Sequence, residues 1–231
     1  MTASDCPDDE APEGYASPPC LMHELDPVYL GLAAEADPQQ RRDVMRWRKA
    51  TRERLLAARQ AVDSETRHGR ADRIATGLEA ALGDVRGQVV SCYWPIRGEP
   101  DLRRWIARML ELGGVCALPV VIEREAPLVF HRWRPGERLR PGHWNIPVPA
   151  ESYPVTPDIV IAPVVGFDFG CYRLGYGGGF FDRTLAALGG HARAIGVGYA
   201  TARLPTIYPQ WHDVPLDLIV TEEGICRREG S

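Results

Sequence analysis

Several things this chain lacks narrow what it can be. No apolar run approaches the ~20 residues that a membrane-spanning helix needs, so helical membrane insertion is not expected. The start carries Asp5, Asp8, Asp9 and Glu10 where a signal peptide would have positive charge followed by an apolar stretch. A cytoplasmic location is expected by default. The six cysteines (Cys6, Cys20, Cys92, Cys116, Cys171 and Cys226) show no CxxC or Cys/His ligand spacing, which favours free thiols over disulfides or zinc. Net positive charge is also missing: the chain carries −4, arguing against nonspecific nucleic-acid binding by the whole molecule. What remains is a 231-residue chain with 45% hydrophobic content, enough to bury the core of one domain plus a tail.

The rest of the chain is organised around residues 158–183, DIVIAPVVGFDFGCYRLGYGGGFFDR. Ile159 to Val165 is a continuous apolar run with the length of a strand buried on both faces, and Pro163 should end its pairing. Gly166, Gly170 and Gly175 punctuate a loop, and Gly177, Gly178 and Gly179 form a run. Phe180, Phe181, Leu185, Ala186 and Leu188 then fall at helical spacing, with Asp182 in the first turn, where an acid is favoured. Strand, glycine loop and helix start bring successive backbone N–H groups toward an anion, and Arg173 adds a full positive charge. No Gly-Lys-Ser/Thr ending follows, so this is not a Walker A loop. Phe180 stands where a GxGxxG fingerprint would place its last glycine. A turn that only lets strand and helix pack closely accounts for GYGGG equally well.

Residues 1–36, rich in Pro, Asp, Glu, Ala and Ser, read as a mobile extension, except that 18–32 carries enough apolar side chains to dock on something. His23, Glu24 and Asp26 within it read as a solvated face rather than a metal site. Asp37 caps a helix with Pro38 at its first position, and Val44, Trp47, Thr51, Leu55, Ala58 and Val62 mark its buried stripe. Its other face is basic: Arg41, Arg42, Arg46, Arg48, Lys49, Arg52, Arg54 and Arg59. Such a run is a solvated face, an RNA-binding face or, for one or two residues, a source of triphosphate ligands. Asp63 or Ser64 starts a second helix ending at Gly83. Strands are predicted at 88–94, 115–121, 128–133, 194–199 and 216–221, with a helix after Asp101. Residues 134–157, with six prolines, read as a long loop that lines a site. The alternation gives a three-layer α/β/α sandwich with a mostly parallel, Rossmann-like sheet, as one domain over 37–226 with a tail at 227–231. Glu99, the glycine loop and His212-Asp213 fall near strand ends, where such folds bind ligands.

The run Phe167-Asp168, then Tyr172-Arg173-Leu174-Gly175-Tyr176-Gly177-Gly178-Gly179-Phe180-Phe181-Asp182-Arg183 resembles the FDxxGxRLGxGGGYYDR signature of the 5-formyltetrahydrofolate cyclo-ligase (methenyltetrahydrofolate synthetase) family. The similarity extends from about Arg48 to Thr221. It implies that Arg48, Lys49 and Arg52, in RKATR, contact ATP, with Arg52 also reaching the substrate. Arg173, Leu174, Gly175, Tyr176, Gly177, Gly178, Gly179, Phe180 and Phe181 would bind nucleotide. Tyr176, Gly178 and Phe180, together with Glu99 and Trp144, would touch the folate. Asp182 and Asp213 would hold Mg2+, and Arg173 and Lys49 would be catalytic. The implied reaction is ATP-dependent closure of 5-formyltetrahydrofolate to 5,10-methenyltetrahydrofolate in a monomer or weak homodimer, with no nucleic-acid or membrane partner. Cys171 needs no role in it, since the chemistry requires no protein nucleophile. The chain departs from the family in three places. The folate-binding GIxEP segment is here Trp144-Asn145-Ile146-Pro147-Val148-Pro149, without its Glu. A Gln after the penultimate strand is replaced near Ala202, and Leu204 to Asp213 is longer than usual. The departures leave room for a relative that binds nucleotide with another substrate, or for a nonenzymatic RNA-binding or interaction protein.

Overall fold

The computed structural model describes residues 38–228. The readings of residues 1–36 and of the Asp37 cap lie outside the described residues. Pro38 is the first residue of α1 (Pro38–Ala61), as its fixed φ favours. The buried positions on α1 are Thr51, Leu55 and Arg59, four residues apart, so the stripe leans onto Arg59 and away from the exposed Ala58. Asp63 caps α2 (Ser64–Leu82), accepting the Thr66 N–H at 2.8 Å, and the left-handed Gly83 ends it. The chain continues through β1 (Val89–Ser91), α3 (Arg103–Glu111), β2 (Val115–Val120) and β3 (Val129–Arg132).

The proline-rich stretch is more ordered than its composition predicts. It forms a hairpin, β4 (Leu139–Pro141) and β5 (Pro147–Pro149), then an edge strand, β6 (Pro154–Val155). Each of these strands is two or three residues long, which lets Pro occupy positions that need no donor. Next come β7 (Ile159–Pro163), the short pair β8 (Gly166–Phe167) and β9 (Arg173–Leu174), and α4 (Phe180–Leu188). β10 (Arg193–Val197), β11 (Leu218–Thr221) and β12 (Gly224–Arg227) complete the order. β12 was not foreseen; it pairs antiparallel with β11 through Arg227, one residue past the expected domain end. β1 is shorter than predicted, and β7 ends on Pro163 as expected.

The main sheet runs β12-β11-β10-β7-β1-β2-β3-β6, with β2, β1, β7, β10 and β11 parallel. Alternation on β7 divides the core. Ile159 and Ile161 join Ile74 and Leu78 of α2 and Trp105, Ile106 and Met109 of α3, while Val160 and Ala162 join Leu55 of α1 and Leu185 of α4. Two helices therefore cover each face, giving three layers. Each fully buried aliphatic side chain contributes about 1.5–3 kcal/mol. From β1 the chain crosses to β2 on one side and later returns to β7 on the other, so the strand order reverses between β1 and β7. Loops leaving the carboxyl ends of these two strands enclose a crevice there.

Candidate active site

That crevice is a cleft of about 1020 Å³. Its lining includes Arg48, Lys49 and Arg52 from α1, Glu99 from the loop after β1, Trp144 from the β4–β5 hairpin, the whole run Arg173 to Asp182, and His212-Asp213. Every residue singled out for the site in the sequence thus lines one cavity.

The glycine loop is held open by backbone conformation and by clamps. Gly177 (φ 97°) and Gly179 (φ 66°) are left-handed, where a side chain would be strained, and Gly179 is the N-cap of α4. Arg52 Nε donates to the Gly175 carbonyl at 2.6 Å, and Arg183 donates to the Gly178 carbonyl at 2.8 Å and the Arg124 carbonyl at 3.0 Å. The N–H groups of Gly177 to Asp182 donate to no acceptor among the described residues. They gather at the positive end of α4, an arrangement that favours an anion.

Positive side chains converge on the same end. Arg173 is only 6% exposed. It donates to the Val214 carbonyl at 3.0 Å, and its Nη2 lies 3.0 Å from Asp182 Oδ1 without hydrogen-bond geometry. Burial lowers its proton affinity, opposed by Asp182 and Asp213. Burial first and Arg48 second do the same to Arg52. Because guanidinium groups do not deprotonate in proteins, the unfavourable energy is relieved by binding an anion rather than by losing a proton. Lys49, the sequence's single lysine, is exposed and has no hydrogen-bond or ionic partner among the described residues.

Arg48 is engaged differently from its neighbours. It donates to the Ile207 carbonyl at 3.0 Å and the Tyr208 carbonyl at 2.9 Å and pairs with Asp213, tying the long 204–213 run to α1. Trp47 packs edge-on against Tyr208 at 4.9 Å beside this clamp. Asp213 also accepts the Gln210 N–H at 2.6 Å, so both its oxygens are committed. Asp182 accepts the Val214 N–H through Oδ1 at 3.1 Å, and its Oδ2 carries no hydrogen bond among the described residues. No group of three or more His, Cys, Asp or Glu side chains placed to hold a metal occurs among the described residues.

The other end of the cleft holds a buried acceptor. Glu99 is 6% exposed; Oε2 accepts the Ile96 N–H at 2.8 Å and Oε1 accepts the Tyr176 hydroxyl proton at 2.7 Å. It does not cap α3, whose N-cap, Leu102, makes no side-chain bond. Burial raises the Glu99 pKa, while the Ile96 N–H, Arg59 and Tyr176 oppose the rise. Tyr176 is raised too, by burial first and by Glu99. Arg59, placed on the basic face of the helix on sequence grounds, is buried behind this pair and bonds the Tyr176 hydroxyl. Its spacing of four from Leu55 and seven from Arg52 was the available signal.

Trp144 closes the cleft from above in an unusual conformation. Both it (φ 53°) and Asn145 (φ 59°) are left-handed, a cost for a bulky side chain. The indole is 59% exposed and packs on His143 at 4.7 Å and Phe180 at 6.0 Å. Strain persisting at a cleft wall fits a binding role. Trp144→Asn is expected to stabilise the protein by up to about 1 kcal/mol, read as a higher Tm. Cys171 is excluded from chemistry: it is buried behind the loop, and burial with Cys226 nearby pushes its thiol up to about 12. Cys92, Cys116, Cys171 and Cys226 are free. No helix among the described residues is long and apolar enough to cross a membrane.

Known proteins share this sequence pattern and fold. A model of the 5-formyltetrahydrofolate cyclo-ligase family matches residues 44–222. The 5-formyltetrahydrofolate cyclo-ligase of Mycolicibacterium smegmatis is 31% identical over 179 residues, covering 72% of this chain and 89% of that one. The enzyme of the same name from Escherichia coli K12 is 31% identical over 178 residues, covering 72% and 96%. The NMR structure of Aquifex aeolicus 5,10-methenyltetrahydrofolate synthetase superposes with a TM-score of 0.69 at 26% identity, covering 80% of this chain and 94% of that one. A Mycoplasma pneumoniae 5,10-methenyltetrahydrofolate synthetase shares the fold with a TM-score of 0.63 at 23% identity, covering 76% and 98%. Signature, fold and relatives agree, and the chain belongs to the 5-formyltetrahydrofolate cyclo-ligase family of ligases.

Proposed function

We propose that the cleft binds ATP and 5-formyltetrahydrofolate side by side and closes the folate to 5,10-methenyltetrahydrofolate, with release of ADP and phosphate. The observation that carries this reading is the run Gly175 to Gly179: one loop offers unsatisfied N–H groups to phosphate and, through Tyr176, holds the buried acceptor Glu99. The formyl oxygen is an amide oxygen and a poor leaving group. Transfer of the γ-phosphoryl group to that oxygen activates the formyl carbon; N10 attacks it, loses its proton, and the oxygen departs as phosphate. The protein supplies position and charge. Lys49, Arg52 and Arg173 with the loop amides draw off the charge of the transferring group. Glu99 and Tyr176 fix the folate against the apolar wall of Trp94, Trp144 and Phe180.

Asp182 and Asp213 are the proposed Mg2+ ligands, the ion offsetting phosphate charge when bound. Two carboxylates completed by phosphate oxygens and water suit Mg2+. Asp182 fits as found, through its open Oδ2, whereas Asp213 fits only by exchanging Arg48 for the ion. A second reading, a nucleotide-binding relative with another substrate, is favoured by the 142–146 turn, which presents Trp144 where the family has its Glu-containing segment.

The lone lysine gives a direct test of the phosphate end. Treatment with an amine-acylating reagent should modify Lys49, with Mg·ATP protecting it at least tenfold, as read by peptide mass mapping; equal labelling with and without nucleotide would remove Lys49 from the site. Release of ADP should in turn require 5-formyltetrahydrofolate. ATP protection without folate-dependent ADP release would favour the second reading.

A further inference from the structure

Among the described residues, Arg59 is a buried cation that lies behind Tyr176 and Glu99 of the cleft lining and that the proposed chemistry does not use. Its guanidinium joins three segments: Nε donates to the Arg97 carbonyl at 3.0 Å in the loop after β1, Nη1 to the Val164 carbonyl at 3.5 Å after β7, and Nη2 to the Tyr176 hydroxyl in the glycine loop. The same Nη2 lies 3.9 Å from Glu99 Oε1. With the hydroxyl oxygen occupied by Arg59, the Tyr176 proton is committed to Glu99. Glu99 is thereby fixed as an acceptor in the cleft lining with lone pairs left for N–H groups of a ligand. Arg59 and Arg97 also flank the Tyr176 ring at 5.7 and 5.6 Å.

We propose that Arg59 is a positioning residue for the reaction: from inside α1 it holds Tyr176 and Glu99 as one acceptor unit, and so determines affinity for the folate rather than for the nucleotide. This rests on the reading of the cleft as a joint ATP and folate site. The split follows from the geometry. Arg59 bonds the Tyr176 side chain, whereas the phosphate end of the loop is fastened separately by Arg52 at Gly175 and by Arg183 at Gly178. Glu99 is faced by Arg59 from α1, by Arg97 on its own loop, by Tyr176 from the glycine loop and by Tyr93 from the end of β1. Tyr199, beyond them, bonds the Gly98 carbonyl at 3.2 Å. Among these, Arg59 and Arg97 carry the positive charge, and Arg59 alone also bonds the tyrosine that bonds the carboxylate. A lysine in its place would keep the charge and lose the fork.

The test compares wild type, Arg59→Gln, Arg59→Lys and Tyr176→Phe for turnover and for binding of 5-formyltetrahydrofolate and of ATP across pH, with circular dichroism to check folding. For Arg59→Gln the account expects kcat/KM for the folate to fall by about 100-fold, chiefly through KM, with ATP affinity within about threefold of wild type. Its acid limb should move up by roughly one pH unit, because an acceptor carboxylate without its cation ionises later. Arg59→Lys should keep the wild-type limb. Tyr176→Phe leaves the buried cation in place and should move the limb upward too, so the claim stays decidable if the glutamine variant does not fold. An unmoved limb in both Arg59→Gln and Tyr176→Phe, or a parallel loss of ATP affinity in Arg59→Gln, would overturn the proposal. A silent wild type would sink the ring-closure reading separately, leaving Arg59 to be judged on the pH dependence of folate binding. Absence of folate binding at any pH would overturn both.

Discussion

Arg173→Ala is expected to lower kcat by roughly 10³-fold or more while the protein remains folded. Arg173 is the first residue of β9, 6% exposed, beside Asp182 and the Val214 carbonyl in the cleft wall that also holds the glycine loop. Its Nη2 is buried with no hydrogen bond, an unsatisfied donor beside the unpaired loop amides. A transferring phosphoryl group is the natural acceptor, and the interaction would strengthen as charge moves onto its equatorial oxygens. The loss should therefore fall on kcat more than on the KM for ATP. Arg173→Lys should recover only part of the rate, because the ammonium cannot span Val214 and the phosphate together. Wild-type turnover in the alanine variant would remove Arg173 from the reaction. Loss of the folded signal would instead assign it to the fold.

Glu99→Gln should lower activity at the folate end while leaving the protein at least as stable. Losing the anionic acceptor at the folate end should cost about 10²-fold in kcat/KM, mostly as KM. The folded-state pKa of Glu99 is raised above its ordinary value, chiefly by burial. A raised carboxylate contributes stability that is full below its unfolded value and is lost as pH rises through the folded value. Near neutral pH the buried charge is thus a net cost, which glutamine removes. The variant should melt at or above the wild-type temperature at pH 7, with the difference shrinking as pH falls toward the ordinary glutamate range. A markedly lower Tm at pH 7 would mean that pairing with Arg59 outweighs desolvation.

The geometry of the proposed phosphate end was legible because its pattern is written locally. Glycines at 177 and 179 are needed where φ is positive, an apolar strand precedes them, and an acid follows in the first helical turn. The three-layer sheet was legible for a similar reason, since β7 and β10 are apolar on both faces. The folate end was harder. Arg59 lies among basic residues whose neighbours Arg54 and Arg42 are solvent-exposed, and only a spacing of four from Leu55 separates it from them. Its partner Tyr176 is 117 residues away, a distance no periodicity spans. The 134–157 stretch was misjudged as loop because its prolines suppress strand propensity, although at three-residue strand lengths they do not prevent pairing. RKATR places Arg48 at the cleft, as the structure does, but gives no sign of its bonds to the 207 and 208 carbonyls and to Asp213, more than 150 residues later in sequence.

The most direct measurement follows the near-ultraviolet absorbance of the methenyl product after purified protein is mixed with 5-formyltetrahydrofolate and Mg·ATP, with ATP omitted in the control. An absorbance rise that requires ATP and is matched by stoichiometric ADP is the predicted result. No rise, with ATP and 5-formyltetrahydrofolate both shown to bind, would contradict the account, since the cleft would then hold the two molecules without joining their chemistry.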